Sequence, residues 1–525
     1  MAENKEKYIV AADLGTSKMS LIVVKVNGHD SQVVYYNEVA SAGIRYSGVS
    51  NMVQAHAPLD VLIKGAEAEL NIKINHVIIG MPKFPIRQET NSGKITDRGE
   101  NTEITAEDIA DIKRFAQETY ELQDSEREAV YGAVAQSFSD SENFQTREED
   151  IIGMTSDVIE GHFNIFIGRK KELRNADALL AKSGTSAIKK YFTAHTTAKV
   201  VLTETEMDNG VALVDIGGGS TSVSIYINGI MRHYASIPFG GKSITTDIKS
   251  ELQITEKLAE NIKLAFGACM SDKLQNMSEK VLYITDNLTR HEKQVPVKYL
   301  SDIITARTEE IIEAVLHIIK ESGFEDDIRC GLVLTGGTSK TPNLRLLIKE
   351  MSGYQSRIGH PMIQLSSDGV QGTENVNAAT VLGLVMEAIE DDMPSCARDL
   401  YEGVKKAEEP VIEPVKEKPA VEPVVVEPVV EPVKDEPVIE PVKDEPVVEP
   451  VKDEPVVEPV AVEPVVEPVV EPKANKEEEK GEEEKKERWR FLKVAWGKAK
   501  KVTSNVTNLL ENLTESDDDE EDTEY

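Results

Sequence analysis

One pattern is written twice in this chain, and it restricts the fold more than any other feature. Ile9-Val10-Ala11-Ala12-Asp13-Leu14-Gly15-Thr16-Ser17 and, much later, Leu213-Val214-Asp215-Ile216-Gly217-Gly218-Gly219-Ser220-Thr221 each run an apolar strand into an aspartate and then into a glycine turn rich in hydroxyls. A second β-rich run follows each turn, so both copies predict a strand, a tight turn and a strand. Two similar α/β halves facing each other would bring both turns into one cleft.

Around the first copy, Val33–Ala42 predicts a third strand, Ala57–Leu70 a helix and His76–Gly80 another buried strand. From about Lys83 to Gly168 the chain turns charged and amide-rich. Thr105, followed three residues later by Asp108, predicts a capped helix over Thr105–Leu122, and the segment reads as an inserted small domain. Lys171–Ser183 and Ser186–Thr193 both read as helices before the second copy begins.

Globular texture stops near Arg398. Glu408–Pro472 is a degenerate Glu-Pro-Val-Val and Glu-Pro-Val-Lys-Asp repeat, whose regular prolines forbid helix and central strand and predict an extended acidic linker. Beyond it, Arg488–Leu513 fits an amphipathic helix: Trp489, Leu492 and Trp496 fall on an apolar stripe, and Lys493, Lys500 and Lys501 on the opposite face. Trp with Lys in this arrangement suits a helix lying in an anionic lipid surface, although a helix docking into a protein groove has the same pattern. The acidic run Glu515–Glu524 would then point into water.

A net charge of −34 argues against nucleic acid as a partner, since phosphate binding needs an excess of Lys and Arg. Cys269, Cys330 and Cys396 are too widely spaced for a disulfide framework or a Cys-x-x-Cys metal pair, which suits a reducing cytoplasm. The polar N-terminus has no signal-peptide apolar region, and no stretch approaches the ~20 apolar residues that a membrane span needs.

Chemistry concentrates at the turns. Gly15 lets backbone N–H groups and the hydroxyls of Thr16 and Ser17 approach phosphate oxygens, and Lys18 adds a cation. Three consecutive glycines, Gly217, Gly218 and Gly219, followed by Ser220 and Thr221, strip a turn of side chains as a large anion would require. Asp13 and Asp215, facing phosphate, are expected to hold Mg²⁺ through water. A third buried strand, Gly331–Thr335, runs into Gly336, Gly337 and Thr338, bare backbone suited to a flat ring. Singly, the first turn is also what an ordinary hairpin looks like and the second what a flexible loop looks like. Three in this order are far more specific.

These residues resemble the actin, sugar-kinase and DnaK-type ATPase superfamily, whose two phosphate motifs and adenosine motif occur in this order. Within it the chain is similar to the FtsA family, through Asp215–Ser220, Met231–Gly241 and Ala259–Lys263. The resemblance covers roughly Lys7 to Glu390 and implies an actin-like two-lobed α/β fold binding ATP with Mg²⁺, Glu260 and Lys263 approaching ribose and base. It implies subdomain 1A from 1–84, 169–209 and 361–397, an inserted 1C subdomain at 85–168, 2A from 210–243 and 311–360, and 2B at 244–310. After these come a disordered linker at 398–484, a membrane-targeting helix at 485–513 and an acidic tail at 514–525. The implied function is that of a cell-division adaptor on the cytoplasmic face of the inner membrane, tethering the FtsZ ring through the FtsZ C-terminal peptide, self-associating into filaments and meeting other division proteins. Where the family has a second-motif carboxylate this chain has Ser222, so at most weak ATPase activity is expected and no catalytic residue is assigned. The rival on the same fold is a small-molecule, sugar-type kinase. It would need a substrate cleft and a catalytic carboxylate that the sequence does not reveal.

Overall fold

The computed structural model describes residues 6–28, 30–96, 102–140, 146–285, 292–362, 365–367 and 369–400. From residue 401 onward, the expected linker, amphipathic helix and acidic tail lie outside the described residues.

Ile9, Val10, Ala11 and Ala12 are consecutive and all buried, which in a strand requires cover on both faces. Their strand, Lys7–Leu14, pairs antiparallel with Lys18–Asn27 and parallel with His76–Gly80. The resulting five-stranded sheet runs Ser186–Tyr191, His76–Gly80, Lys7–Leu14, Lys18–Asn27, Asp30–Ala40. Val211–Ile216 repeats the arrangement: it pairs antiparallel with Thr221–Ile227 and parallel with Leu332–Thr335. Its sheet runs Ile230–Ile237, Thr221–Ile227, Val211–Ile216, Leu332–Thr335, Ser356–Ile358. The duplicated motif is therefore a duplicated sheet, a three-strand antiparallel meander flanked by two parallel strands.

Helices bury the sheets. Met52–Leu70 packs on the first, and Ala379–Glu390 returns late in the chain to pack on that same sheet. The long helix Val297–Glu321 places Ile312, Val315 and Ile319 against the second. Met52–Leu70 begins five residues earlier than the expected Ala57, because the Asn51 side chain caps it by accepting from the Gln54 N–H at 3.0 Å. Pro58 is accommodated inside the helix.

Ser186–Thr193 was expected to be a helix, and the structure overturns this. Ser186–Tyr191 is the edge strand of the first sheet, parallel to His76–Gly80, and the following helix is Thr193–Val201. Six residues carry too little periodicity to separate one helical turn from a strand, and the open edge beside His76–Gly80 decided the matter.

Between His76–Gly80 and Ser186–Tyr191 the chain leaves the sheet. It builds a three-stranded antiparallel sheet, Ile86–Ile95, Ile159–Arg169 and Glu128–Ser139. The helix Ala106–Glu118 lies on it, started by the expected capping box: Thr105 N–H donates to the Asp108 carboxylate at 2.7 Å, and Asp108 N–H to Thr105 Oγ1 at 3.2 Å. Ile109, Ile112, Phe138 and Phe163 form its own core. Among the described residues no helix is long and apolar enough to cross a membrane.

Candidate functional site

Each repeated strand delivers its aspartate to the carboxyl end of a parallel strand pair, the edge at which open α/β sheets bind ligands. Asp215 is 7% exposed and sits in register with Ser222 on one side and Thr335 on the other. The Thr335 hydroxyl is buried there without a hydrogen-bond partner, a free polar atom beside the carboxylate.

The turns behind these strands lock together. Gly217 N–H donates to Ser220 O at 3.0 Å and closes the second turn. Gly217 O accepts from Gly241 N–H at 2.9 Å and from the Thr338 hydroxyl at 3.1 Å, and Gly218 O accepts from Lys242 N–H at 2.7 Å. The second turn is thereby tied to the start of helix Gly241–Leu252 and to the third turn. Against it stands the first: a Cβ on Gly219 would meet Thr16 Oγ1 at 2.7 Å, and one on Gly218 would overlap Ser17. Gly336 has φ +82°, and a Cβ there would run into Ile216 O at 2.6 Å and into the Asp215 carboxylate. Glycine is thus demanded by close approach as well as by backbone conformation.

Glu260 and Lys263, one turn apart on helix Glu256–Phe266, join the same cluster. Lys263 Nζ donates to Glu260 Oε2 at 2.7 Å, to Thr245 Oγ1 at 2.7 Å and to Gly241 O at 2.9 Å. A Cβ on Gly241 would lie 2.6 Å from Thr338 Oγ1 and 3.6 Å from Lys263 Nζ. Asp13, Gly15, Thr16, Ser17, Asp215, Gly217, Gly218, Gly219, Ser220, Thr221, Glu260, Lys263, Gly336, Gly337 and Thr338, drawn from four distant stretches of sequence, therefore meet in one place.

Lys18 has a carboxylate of its own. Its ammonium pairs with Glu38, and its side chain is 52% exposed. Burial alone would lift the Glu38 carboxyl, but hydrogen bonds from Lys18 and Asn377 outweigh it and hold the group below its ordinary range.

The cation beside the two aspartates is Lys83, which the sequence reading passed over. Its ammonium lies 2.5 Å from Asp215 Oδ2 and 3.4 Å from Thr380 Oγ1, with side-chain exposures of 16% for Lys83 and 9% for Asp215. Burial works to lower the Lys83 pKa, yet the charges of Asp215 and Asp13 and the hydrogen bond to Asp215 leave it above the usual lysine value. Asp13 is shifted up by burial, opposed by Lys83 and reinforced by Asp215. The backbone is pinned too, since the Tyr234 hydroxyl donates to Lys83 O at 2.8 Å. One signal in the chain pointed to it: Lys83 lies three residues beyond strand His76–Gly80, the parallel neighbour of Lys7–Leu14, and so at the same sheet edge as Asp13.

The comparisons bear on the family and the fold. A family model described as "Cell division protein FtsA" matches residues 212–383, which hold the second and third turns. The cell division protein FtsA of Neisseria meningitidis serogroup B is 31% identical over 365 residues, covering 68% of this chain and 85% of that protein. The chain belongs to the FtsA family of cell division proteins. FtsA of Borreliella burgdorferi is 28% identical over 382 residues, covering 72% of this chain and 90% of that protein. Among solved structures, the PilM–PilN type IV pilus biogenesis complex matches with a TM-score of 0.52 at 13% identity, covering 74% of this chain and 99% of that one. This likeness bears on the fold alone. The fold of this FtsA-family chain is the two-lobed actin-like one, and its function is in cell division rather than in sugar phosphorylation.

Proposed function

We propose that this FtsA-family protein binds Mg·ATP between its two repeated sheets and acts as a membrane adaptor of the division machinery. The observation that carries the nucleotide reading is the meeting of three glycine turns around a buried Asp13–Lys83–Asp215 group. The donor set fits a polyphosphate: hydroxyls on Thr16, Ser17 and Ser220, a largely buried ammonium, and turns at Gly218, Gly219 and Gly336 where any side chain would collide, with the Thr221 and Thr338 hydroxyls bracing the backbone around them. Bound ATP would supply a polyanion that draws the two lobes together, with Mg²⁺ balancing its charge.

The chain's own residues act around it. Gly217–Gly219 present backbone without side chains, and Thr16 and Ser17 approach from the other lobe. Lys83 keeps two carboxylates from repelling a phosphate. Glu260 and Lys263 are positioned by Thr245 and Gly241 for the ribose side, and Gly336–Thr338 offer flat backbone to a ring. Asp13 and Asp215 would hold Mg²⁺ through water, Asp215 exchanging its direct contact with Lys83 for a hydrated ion. Whether phosphate is released from ATP is decided by an assay on purified protein.

The adaptor half of the proposal rests on 485–513. Trp489, Leu492 and Trp496 would enter the lipid surface while Lys493, Lys500 and Lys501 face anionic headgroups at the cytoplasmic side of the inner membrane at the division site. The FtsZ C-terminal peptide, other division proteins and further copies of the chain are its proposed partners. The subdomain division at 85–168, 210–243, 244–310 and 311–360 is part of the same proposal, with 1A completing the first lobe.

Calorimetry of the full chain with Mg·ATP tests the cleft: saturable uptake in the wild type, lost in Asp215→Asn, is expected, and no uptake overturns the nucleotide reading. Both tryptophans lie in the proposed membrane helix, so anionic vesicles should blue-shift the emission and sediment the full chain but not a chain ending at Lys480. Vesicles that change neither signal, with or without ATP, overturn the adaptor reading.

A further inference from the structure

Among the described residues four arginines are half-buried, and three have a carboxylate against the guanidinium: Arg87 with Glu128 at 2.9 Å, Arg307 with Asp247 at 2.5 Å and Arg357 with Glu206 at 2.6 Å. This is what a chain with 93 acidic and 59 basic residues should do with a charge it partly removes from water. Arg232 is the fourth, and no carboxylate among the described residues pairs with it. Its Nη1 donates only to Gln136, to the main-chain oxygen at 3.0 Å and to Oε1 at 3.3 Å.

The position is built rather than incidental. Arg232 O accepts from Gln88 Nε2 at 3.3 Å and from Asn164 Nδ2 at 3.0 Å, so two strands of the inserted sheet clamp the backbone of strand Ile230–Ile237 at this residue. Gln136 Nε2 reaches across to Met231 O at 3.0 Å and fixes the third. The side chain then opens on a pocket of about 360 Å³ lined by Gln136, Ser137, Arg147, Asn228, Ile230 and Arg232. Among the described residues its lining holds two guanidiniums, two amides and a hydroxyl, and no acid. Among the described residues Arg147 pairs with Glu149 alone, 3.2 Å away with a side chain 73% exposed, a pairing that water screens heavily. Burial and the neighbouring Arg147 both press the Arg232 pKa down, the response of two like charges held together.

We propose that this pocket is an oxyanion site, taking a carboxylate or phosphate group between Arg232 and Arg147, with Ser137 and Asn228 as further donors and Gln136 holding the Arg232 guanidinium in place. Guanidiniums match two-oxygen groups in geometry as well as in charge. The volume exceeds that of a bare anion, so the group is carried on a larger ligand. The site spans the seam between the inserted sheet and the second sheet's hairpin, and its occupation would stiffen that seam.

The test uses the full chain at constant ionic strength, with chloride as reference, titrated calorimetrically with inorganic phosphate and separately with succinate. Saturable uptake of at least one is expected, weakened about tenfold in Arg232→Gln and about threefold in Arg147→Gln, as for the loss of one charge-assisted contact. Gly219→Val, a change in the nucleotide cleft, should leave this uptake intact and so separates the two anion sites. Phosphate alone marks a phosphate-bearing ligand; succinate alone, or both, marks a carboxylate-bearing one. If Arg232→Gln melts early, the exposed Arg147→Gln carries the comparison. The proposal fails if neither anion binds beyond chloride, or if both arginine variants bind as the wild type does.

Discussion

Lys83→Met removes an ammonium while keeping most of the stem that carries it through the protein. The charge it leaves behind is the measurable quantity. Asp215 is 7% exposed and loses its direct partner, and Asp13 loses the charge that opposes its burial. Breaking one side of a buried pair costs about 3–5 kcal/mol, and with the Lys83 side chain at 16% exposure the lower end, about 3 kcal/mol, is expected near neutral pH. The sign of the pH dependence follows from the carboxylates. Asp13 already stands above its ordinary value, and without the opposing charge of Lys83 it rises further, so it charges only at a cost. A group whose folded-state pKa lies above its unfolded value loses stability as pH climbs through that range. The deficit of the variant should therefore be small near about pH 4 and full by about pH 8. Urea melts of the full chain followed by circular dichroism across that range measure it, and Lys83→Met combined with Asp215→Asn should recover at least about half of the loss. A deficit under about 1 kcal/mol at pH 8, or one that does not vary with pH, refutes the claim that this ammonium balances the two carboxylates.

Three further outcomes are expected. Gly336→Ala places a Cβ at φ +82° and 2.6 Å from Ile216 O, and should lower stability by about 1–3 kcal/mol in thermal melts. Lys263→Met should weaken calorimetric binding of Mg·ATP about tenfold while leaving inorganic tripolyphosphate binding unchanged, if the Lys263–Glu260 pair holds the nucleoside as proposed. His195 is half-buried, with its Nδ1 enclosed and unpartnered, and burial first, then Lys199, pushes its pKa down to about 4 from 6.5. The folded form resists protonation, so stability falls as pH drops below 6.5, by about 3 kcal/mol at pH 4, and His195→Gln should flatten that slope in urea melts.

The doubled strand-aspartate-glycine motif was legible because it is local. Apolar runs such as Ile9–Ala12 and Val211–Val214 announce buried strands, and glycines at 217–219 make no local sense unless something lies close to them. The Thr105–Asp108 capping box belongs to the same class, since every atom involved lies within one helical turn. Ser186–Tyr191 was not legible in this way: six residues of mixed character become a strand only because His76–Gly80 offers an unpaired edge.

The charges of the cleft belong wholly to the tertiary structure. From the chain, Lys18 beside Asp13 looks like the phosphate cation and Lys83 looks like the start of a charged insertion. Folding reverses the two. Strand Asp30–Ala40 supplies Glu38 as the partner that takes up the Lys18 charge, and the parallel strand His76–Gly80 carries Lys83 to the sheet edge where Asp13 and Asp215 meet. Residues 132 apart can share a hydrogen bond once two sheets face each other. Local sequence thus specified the elements and their turns, and only packing decided which charges would be partners.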